Sequence, residues 1–308
     1  MTDLSAAVVD YLALRRALGF KLARVDGLLN DFVGYLNAHQ VAHVTIDAAV
    51  DWAVLPAGAS SWWWCRRLGV ARGFARYLQA IDPATQVPPA GLIHAVPPRA
   101  VPYLFTDADV AALLNATTGL TPPLRAETYR CLLGLLAVTG MRVSEAINLD
   151  DTDVDLTEGV LVVRYAKFDK TRELVLHPST VGALSCYRRS RRQHQPNPST
   201  AAFLVSTAGT RLCYPNVLGV FHRLTDEVGL PQARHGHRPR LHDFRHRFAV
   251  RSVLDWYAAD LEVGPRMAAL STYLGHGQPA HTYRYLSATP ELLAFAAQRL
   301  EKSCEALP

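Results

Sequence analysis

The sequence has no apolar run approaching the roughly 18 residues that a membrane-spanning helix needs. Its opening Met1-Thr2-Asp3 lacks the basic and apolar regions of a secretory signal. The expectation is a soluble, intracellular protein with no membrane partner. Cysteine is scarce and scattered: Cys65, Cys131, Cys186, Cys213 and Cys304 stand singly, with no CxxC spacing and an odd total. That pattern argues against a disulfide framework and against a cysteine-zinc site, and the thiols are read as reduced and mostly buried. Internal repeats and low-complexity tracts are absent as well. Acidic residues are depleted in two stretches. Between Arg188 and Arg251 twelve arginines face three acids, Asp226, Glu227 and Asp243, and no acid interrupts Arg66, Arg67, Arg72 and Arg76.

What is present suits two globular domains with ordinary cores: 308 residues, 49% hydrophobic and 19% charged. A net charge of +5 favours a polyanionic partner only mildly, but two arginine clusters in separate regions favour a nucleic-acid track over two solvated faces. Arg66, Arg67, Arg72, Arg76, Arg188, Arg189, Arg238 and Arg240 are the candidate DNA-facing residues.

Apolar spacing predicts helices over 4–18, with Gly19 as a stop, and over 25–38. Thr45 and Asp47 open a third helix ended by Pro56 and Gly58, and Ser60 or Ser61 caps a fourth that runs to Ala80. Trp62-Trp63-Trp64 reads as core and helix-start packing, with an aromatic wedge against DNA as its rival. Six prolines between Pro83 and Pro102 mark a semi-extended linker and a domain boundary. The predicted organisation is a four-helix domain over 1–82, a linker over 83–105, and a second domain over 106–308.

The second domain opens on the helix start Thr106-Asp107-Ala108-Asp109. A buried helix over 127–138 breaks at Thr139-Gly140-Met141, which places Arg142 at the turn into a new helix with Glu145 three residues on to brace it. Residues 160–163 and 172–176 read as the strands of a hairpin with Lys167 at its tip. Helices follow over 180–194 and 214–228. A helix beginning at His242 puts His242, Arg245, His246 and Ala249 on one face, free for chemistry, and Phe244 and Phe248 on the packing face. Leu274-Gly275-His276 and Tyr285 follow, and Gly277 and Pro279 provide the turn that would let His276 and Tyr285 converge. Residues 291–300 form an amphipathic helix. The expected class is mainly α with a small β-sheet or hairpin.

Thr139-Gly140-Met141-Arg142-Val143-Ser144-Glu145, Lys167 on a hairpin, His242-Asp243-Phe244-Arg245-His246, Leu274-Gly275-His276 and Tyr285 resemble, in order and spacing, the tyrosine recombinase or phage integrase family. The likeness spans about 106–286, and the helical bundle before it is similar to the family's SAM-like core-binding domain. It implies an α+β catalytic domain that cleaves and exchanges DNA strands at specific sites through a 3′-phosphotyrosyl ester. Arg142, Arg245 and His276 would hold the phosphate, Lys167 would protonate the leaving 5′-oxygen, and His242 would orient or deprotonate the nucleophile Tyr285. Glu145 and His246 would support them.

No metal and no cofactor are required where guanidinium and ammonium groups supply the charge. The expected partners are a double-stranded recombination site, a homotetramer on two such sites with monomers allowed in solution, and other recombinases. A bacterial cytoplasmic, nucleoid-associated location follows, with the 291–300 helix docking either on a neighbouring protomer or in cis. Competing identities are an accessory DNA-binding subunit that needs a partner recombinase, a type IB topoisomerase, and a metal-dependent hydrolase using His242 and His246. Tyr283 competes with Tyr285 and Lys170 with Lys167. Ala166 and Phe168 stand where the family commonly has glycines, and Gly277 where serine is common.

Overall fold

The computed structural model describes residues 3–20, 22, 24–95, 102–164, 171–231, 238–275 and 282. The chain divides into two compact units, 1–99 and 100–308.

The first unit is built from α1 (Leu4–Ala17), α2 (Val25–Ala38), α3 (Ile46–Val54) and α4 (Ser61–Leu78). Local chemistry starts three of them. The Asp3 carboxylate accepts from the N–H groups of Ser5 and Ala6, the Thr45 hydroxyl from Ala48, and the Ser60 hydroxyl from Trp63, each satisfying a donor that a helix start leaves open. The bundle closes on Leu29, Phe32, Leu36, Trp52, Leu68, Phe74 and Leu78, all fully buried.

Residues beyond α4 fold back onto this bundle. The Asp82 carboxylate meets the His43 ring at 2.6 Å, the Gln86 N–H donates to the Val44 carbonyl at 2.8 Å, and Val87 and Ile93 pack on the apolar core. The early part of the proline-rich stretch is therefore a packed strap, because its carbonyls and apolar side chains find partners on the bundle.

The second unit contains α5 (Asp107–Ala116), α6 (Pro123–Thr139), α7 (Val143–Asn148), α8 (Pro178–His194), α9 (Tyr214–Glu227), α10 (Asp243–Ala258) and α11 (Val263–Leu274). A small antiparallel sheet of β1 (Val154–Asp155), β2 (Val160–Val163) and β3 (Arg172–Val175) runs in that order. The fold is thus mainly helical with a small sheet, as the sequence pattern predicts. Thr106 and Asp109 close a reciprocal capping box at α5.

α6 is the buried spine, with Leu132, Leu133, Leu135 and Leu136 inside, and α5, α7, α8 and α10 pack around it. α11 with the second half of α10 forms a satellite cluster around Val253, Met267 and Leu274. Among the described residues no helix is long and apolar enough to cross a membrane. Cys186 and Cys213 are exposed and Cys65 and Cys131 half-buried, so the expectation of mostly buried thiols does not hold for the first two. Cys304 and the 291–300 helix lie outside the described residues.

Candidate active site

Two helix ends converge on the arginines that the sequence singles out. α6 stops at Gly140 (φ 60°) and α11 at Gly275 (φ 67°), both left-handed, a conformation that costs a glycine little and other residues more. Space is as restrictive as torsion. A Cβ on Gly140 would lie 2.6 Å from the Phe248 ring, and one on Gly275 would lie 2.9 Å from the Arg172 guanidinium.

The carbonyls exposed at these ends hold arginines. Arg245 Nη1 donates to the Gly140 carbonyl at 3.0 Å and its Nη2 to the Leu274 carbonyl. Arg142 Nη2 donates to the Gly275 carbonyl at 3.1 Å. Arg142 and Arg245, 103 positions apart in sequence, are thereby fixed against the same turn.

Glu145 braces Arg142 as expected. Its Oε1 accepts from Arg142 Nη1 at 2.6 Å, and its Oε2 from the Arg142 backbone N–H at 2.8 Å. Burial by itself would raise the Glu145 pKa, but hydrogen bonds and charge from Arg172, followed by those from Arg142, bring it below the usual carboxylate value. Glu145 therefore stays ionised at neutral pH.

Arg172 is the member that sequence reasoning missed. It forks onto both Glu145 oxygens, at 3.1 and 2.8 Å. A signal was available: Arg172 alternates with the fully buried Leu174 on β3 and sits opposite buried Val163. An arginine on the inner face of a strand calls for a carboxylate.

α10 departs from the expected two-faced helix. Arg245 is 1% exposed and buried alongside Phe244, so it does not share an open face with His242. The turn carbonyls of Gly140 and Leu274 lie on that side and draw the guanidinium inward. His242, at the N-cap, keeps an exposed edge. Protein packed about its ring lowers its pKa, as does the nearby charge of Arg245, while Asp243 opposes the shift. The imidazole is therefore neutral at physiological pH and able to accept a proton. His246 is half-buried and meets the His242 ring edge to face at 5.0 Å. Among the described residues no group of three metal-ligating side chains comes together. Tyr273 stacks on Phe248 at 5.4 Å and belongs to the packing. Lys167, Lys170, His276, Tyr283, Tyr285, Gly277, Pro279, His235 and His237 lie outside the described residues.

The candidate DNA-facing arginines separate into three groups. Arg66, Arg76 and Arg189 are exposed. Arg238 and Arg240 are partly exposed and paired with Asp226 and Asp243. Arg67, Arg72 and Arg188 direct donors into the fold, and Arg67 is buried. Arg67 lies over the Trp52 ring at 3.9 Å and donates to Asp31 and to the Trp52 carbonyl. Arg72 holds the carbonyls of Pro88 and Pro89, and Arg188 those of Asp151 and Val154. In each case carbonyl or carboxylate oxygens of the fold draw the guanidinium in. Trp62 is 39% exposed, while Trp64 turns in and donates to the Pro56 carbonyl.

Residues 104–291 match the model described as the phage integrase family. The chain is 41% identical to y4rB of Sinorhizobium fredii, a protein carried under an integrase/recombinase name, over 99% of both chains. It is 28% identical to the tyrosine recombinase XerA of Thermococcus kodakarensis over 74% of this chain and 71% of that protein. Its fold is similar to that of the Tn1549 transposon integrase solved in complex with transposon right end DNA, with a TM-score of 0.66, 18% identity, and 96% and 99% of the two chains covered.

Proposed function

The chain belongs to the phage integrase family, and from that premise we propose that it cleaves and rejoins double-stranded DNA at a specific site through a covalent 3′-phosphotyrosyl intermediate. The observation that carries this reading is the fixing of Arg142 and Arg245 against one turn by peptide carbonyls. A phosphodiester repels nucleophiles with its own negative charge, so a catalyst must present positive groups that bind the pentacovalent state more tightly than the ground state. Guanidiniums already oriented by the fold do this without reorganising during the reaction, and each can offer paired donors to nonbridging oxygens.

In the proposed step the Tyr285 oxygen forms a bond to phosphorus and the bond from phosphorus to the 5′-oxygen breaks. The phenolic proton passes to neutral His242, and Lys167 supplies a proton to the departing 5′-oxygen. His276 completes the hold on the phosphate. The ester conserves the energy of the broken bond, so a 5′-hydroxyl from another strand reverses the step without a cofactor. Charge comes from Arg142, Arg245 and Lys167, and cleavage is expected to survive chelators. Arg66, Arg76, Arg189, Arg238 and Arg240 are proposed to contact the DNA backbone, with tetramers assembling on two sites. The first unit acts as the DNA-clamping domain, and the reaction takes place in the cytoplasm.

The test is covalent capture. A randomised duplex pool incubated with the protein should yield fragments attached at their 3′ ends, and Tyr285→Phe should abolish the attachment. Undiminished capture by that variant overturns the assignment. DNA binding without capture favours an accessory subunit, and relaxation of supercoils irrespective of sequence favours a topoisomerase.

A further inference from the structure

Arg172 opens β3 on the buried side of the hairpin, with its side chain 11% exposed and its fork closed on a Glu145 side chain that is 6% exposed. Glu145 thus carries two guanidiniums, one from its own helix and one from the sheet. The flat group of Arg172 also lies directly beneath Gly275, whose carbonyl holds Arg142. One residue therefore touches the carboxylate that braces Arg142 and the turn that receives it.

We propose that Arg172 is a positioning residue for strand cleavage, which orients Arg142 and keeps its positive charge available by sharing Glu145 with it. This rests on the recombinase reading above. Charge counting explains the need. A carboxylate paired with a single guanidinium is a neutral unit with little attraction for a phosphate, whereas one carboxylate between two guanidiniums leaves a net positive charge beside the substrate. Geometry adds to this: a fork on both oxygens prevents rotation of the Glu145 carboxylate, and the Arg142 guanidinium cannot swing without breaking its 2.6 Å bond to that carboxylate. Arg172 also stands five residues beyond Lys167 in sequence, so the same contact ties the base of the Lys167 hairpin to the arginine pair.

Among the described residues, the charged groups acting on Glu145 are Arg172 and Arg142. Without Arg172 the largest cause opposing burial is gone, and the Glu145 pKa rises. Protonated Glu145 releases Arg142, so cleavage is lost as the pH falls through that raised value.

The experiment uses the full chain and a duplex recovered by covalent capture on the wild-type protein. Single-turnover cleavage, DNA affinity and thermal unfolding are measured for Arg172→Met and Arg172→Lys. Arg172→Met is expected to cleave about 100-fold more slowly, to bind DNA within about threefold of wild type, and to show an acid limb at higher pH than wild type. Arg172→Lys keeps the charge and loses the fork, so it should fall between the two and bring the acid limb back toward wild type.

A lower unfolding temperature with an unchanged rate and pH profile overturns the proposal, because that is the signature of a purely structural residue. If Arg172→Met does not fold, Arg172→Lys decides: a fall of about tenfold with retained DNA affinity supports the proposal, and a wild-type rate overturns it. Absence of capture by the wild-type protein itself overturns the recombinase reading and this inference with it. Capture by wild type with full activity in both variants overturns only the inference.

Discussion

Asp107, Asp151 and Glu145 of the second unit are each shared by two arginines, and Asp151 and Glu145 differ in what surrounds them. Asp151 accepts from Arg188 Nε at 3.1 Å and from Arg191 Nη1 at 2.8 Å. Glu145 accepts from Arg142 and Arg172 over similar distances. The differences lie in burial and in where the leftover donors go. Asp151 is 35% exposed, and Arg188 Nη2 donates to the carbonyls of Asp151 and Val154, so that clamp fastens α8 to the start of the sheet. Glu145 is 6% exposed, and the remaining donor of Arg142 meets a turn at the end of α11. Two arginines on one acid are therefore not by themselves a sign of chemistry. Burial and the turn that is reached, not the kind of acceptor, distinguish the Glu145 pair from the Asp151 rivet.

The comparison predicts opposite phenotypes. Arg142→Lys should keep the fold and reduce single-turnover DNA cleavage by about a thousandfold, because an ammonium offers a point charge where the site needs a fork. A small change in rate would place Arg142 with the rivets. Arg191→Met should do the reverse, lowering stability by about 1–2 kcal/mol, discounted for the exposure of Asp151, with cleavage per folded molecule unchanged. Chemical denaturation and a rate normalised to folded protein would check both statements.

The smallest effect concerns His242. Its pKa is depressed, so the neutral ring persists below the usual histidine value of about 6.5, and cleavage should be lost only as pH falls through a lower point. An acid limb at or above about 6.5 in the wild-type pH profile would contradict the neutral-base role.

Legibility in the sequence tracked range along the chain. The caps at Thr45, Ser60 and the Thr106–Asp109 box were readable because a cap is settled by residues three positions apart. Glu145 bracing Arg142 was readable for the same reason. The fates of Arg67 and Arg188 were not, since their partners Asp31 and Asp151 stand 36 and 37 residues away, and a run of arginines gives no indication of which acid will find it. The burial of Arg245 was hidden similarly: its carbonyl partners at Gly140 and Leu274 are 105 and 29 residues distant. α11 has no side-chain N-cap hydrogen bond, so only its closing Leu274-Gly275 turn stood out. The pairing of Arg172 with Glu145 needed the strand register, although the alternation with Leu174 pointed to it.

The turns at Gly140 and Gly275 carry an implication for mutational tolerance. A peptide carbonyl is the same group whatever side chain its residue bears, so the grip on Arg142 and Arg245 depends on backbone path. Constraint is thereby concentrated at two positions where a single methyl group would strike Phe248 or Arg172. Neighbouring surface positions are left free to drift toward a new DNA site without disturbing the arginines that would cut it.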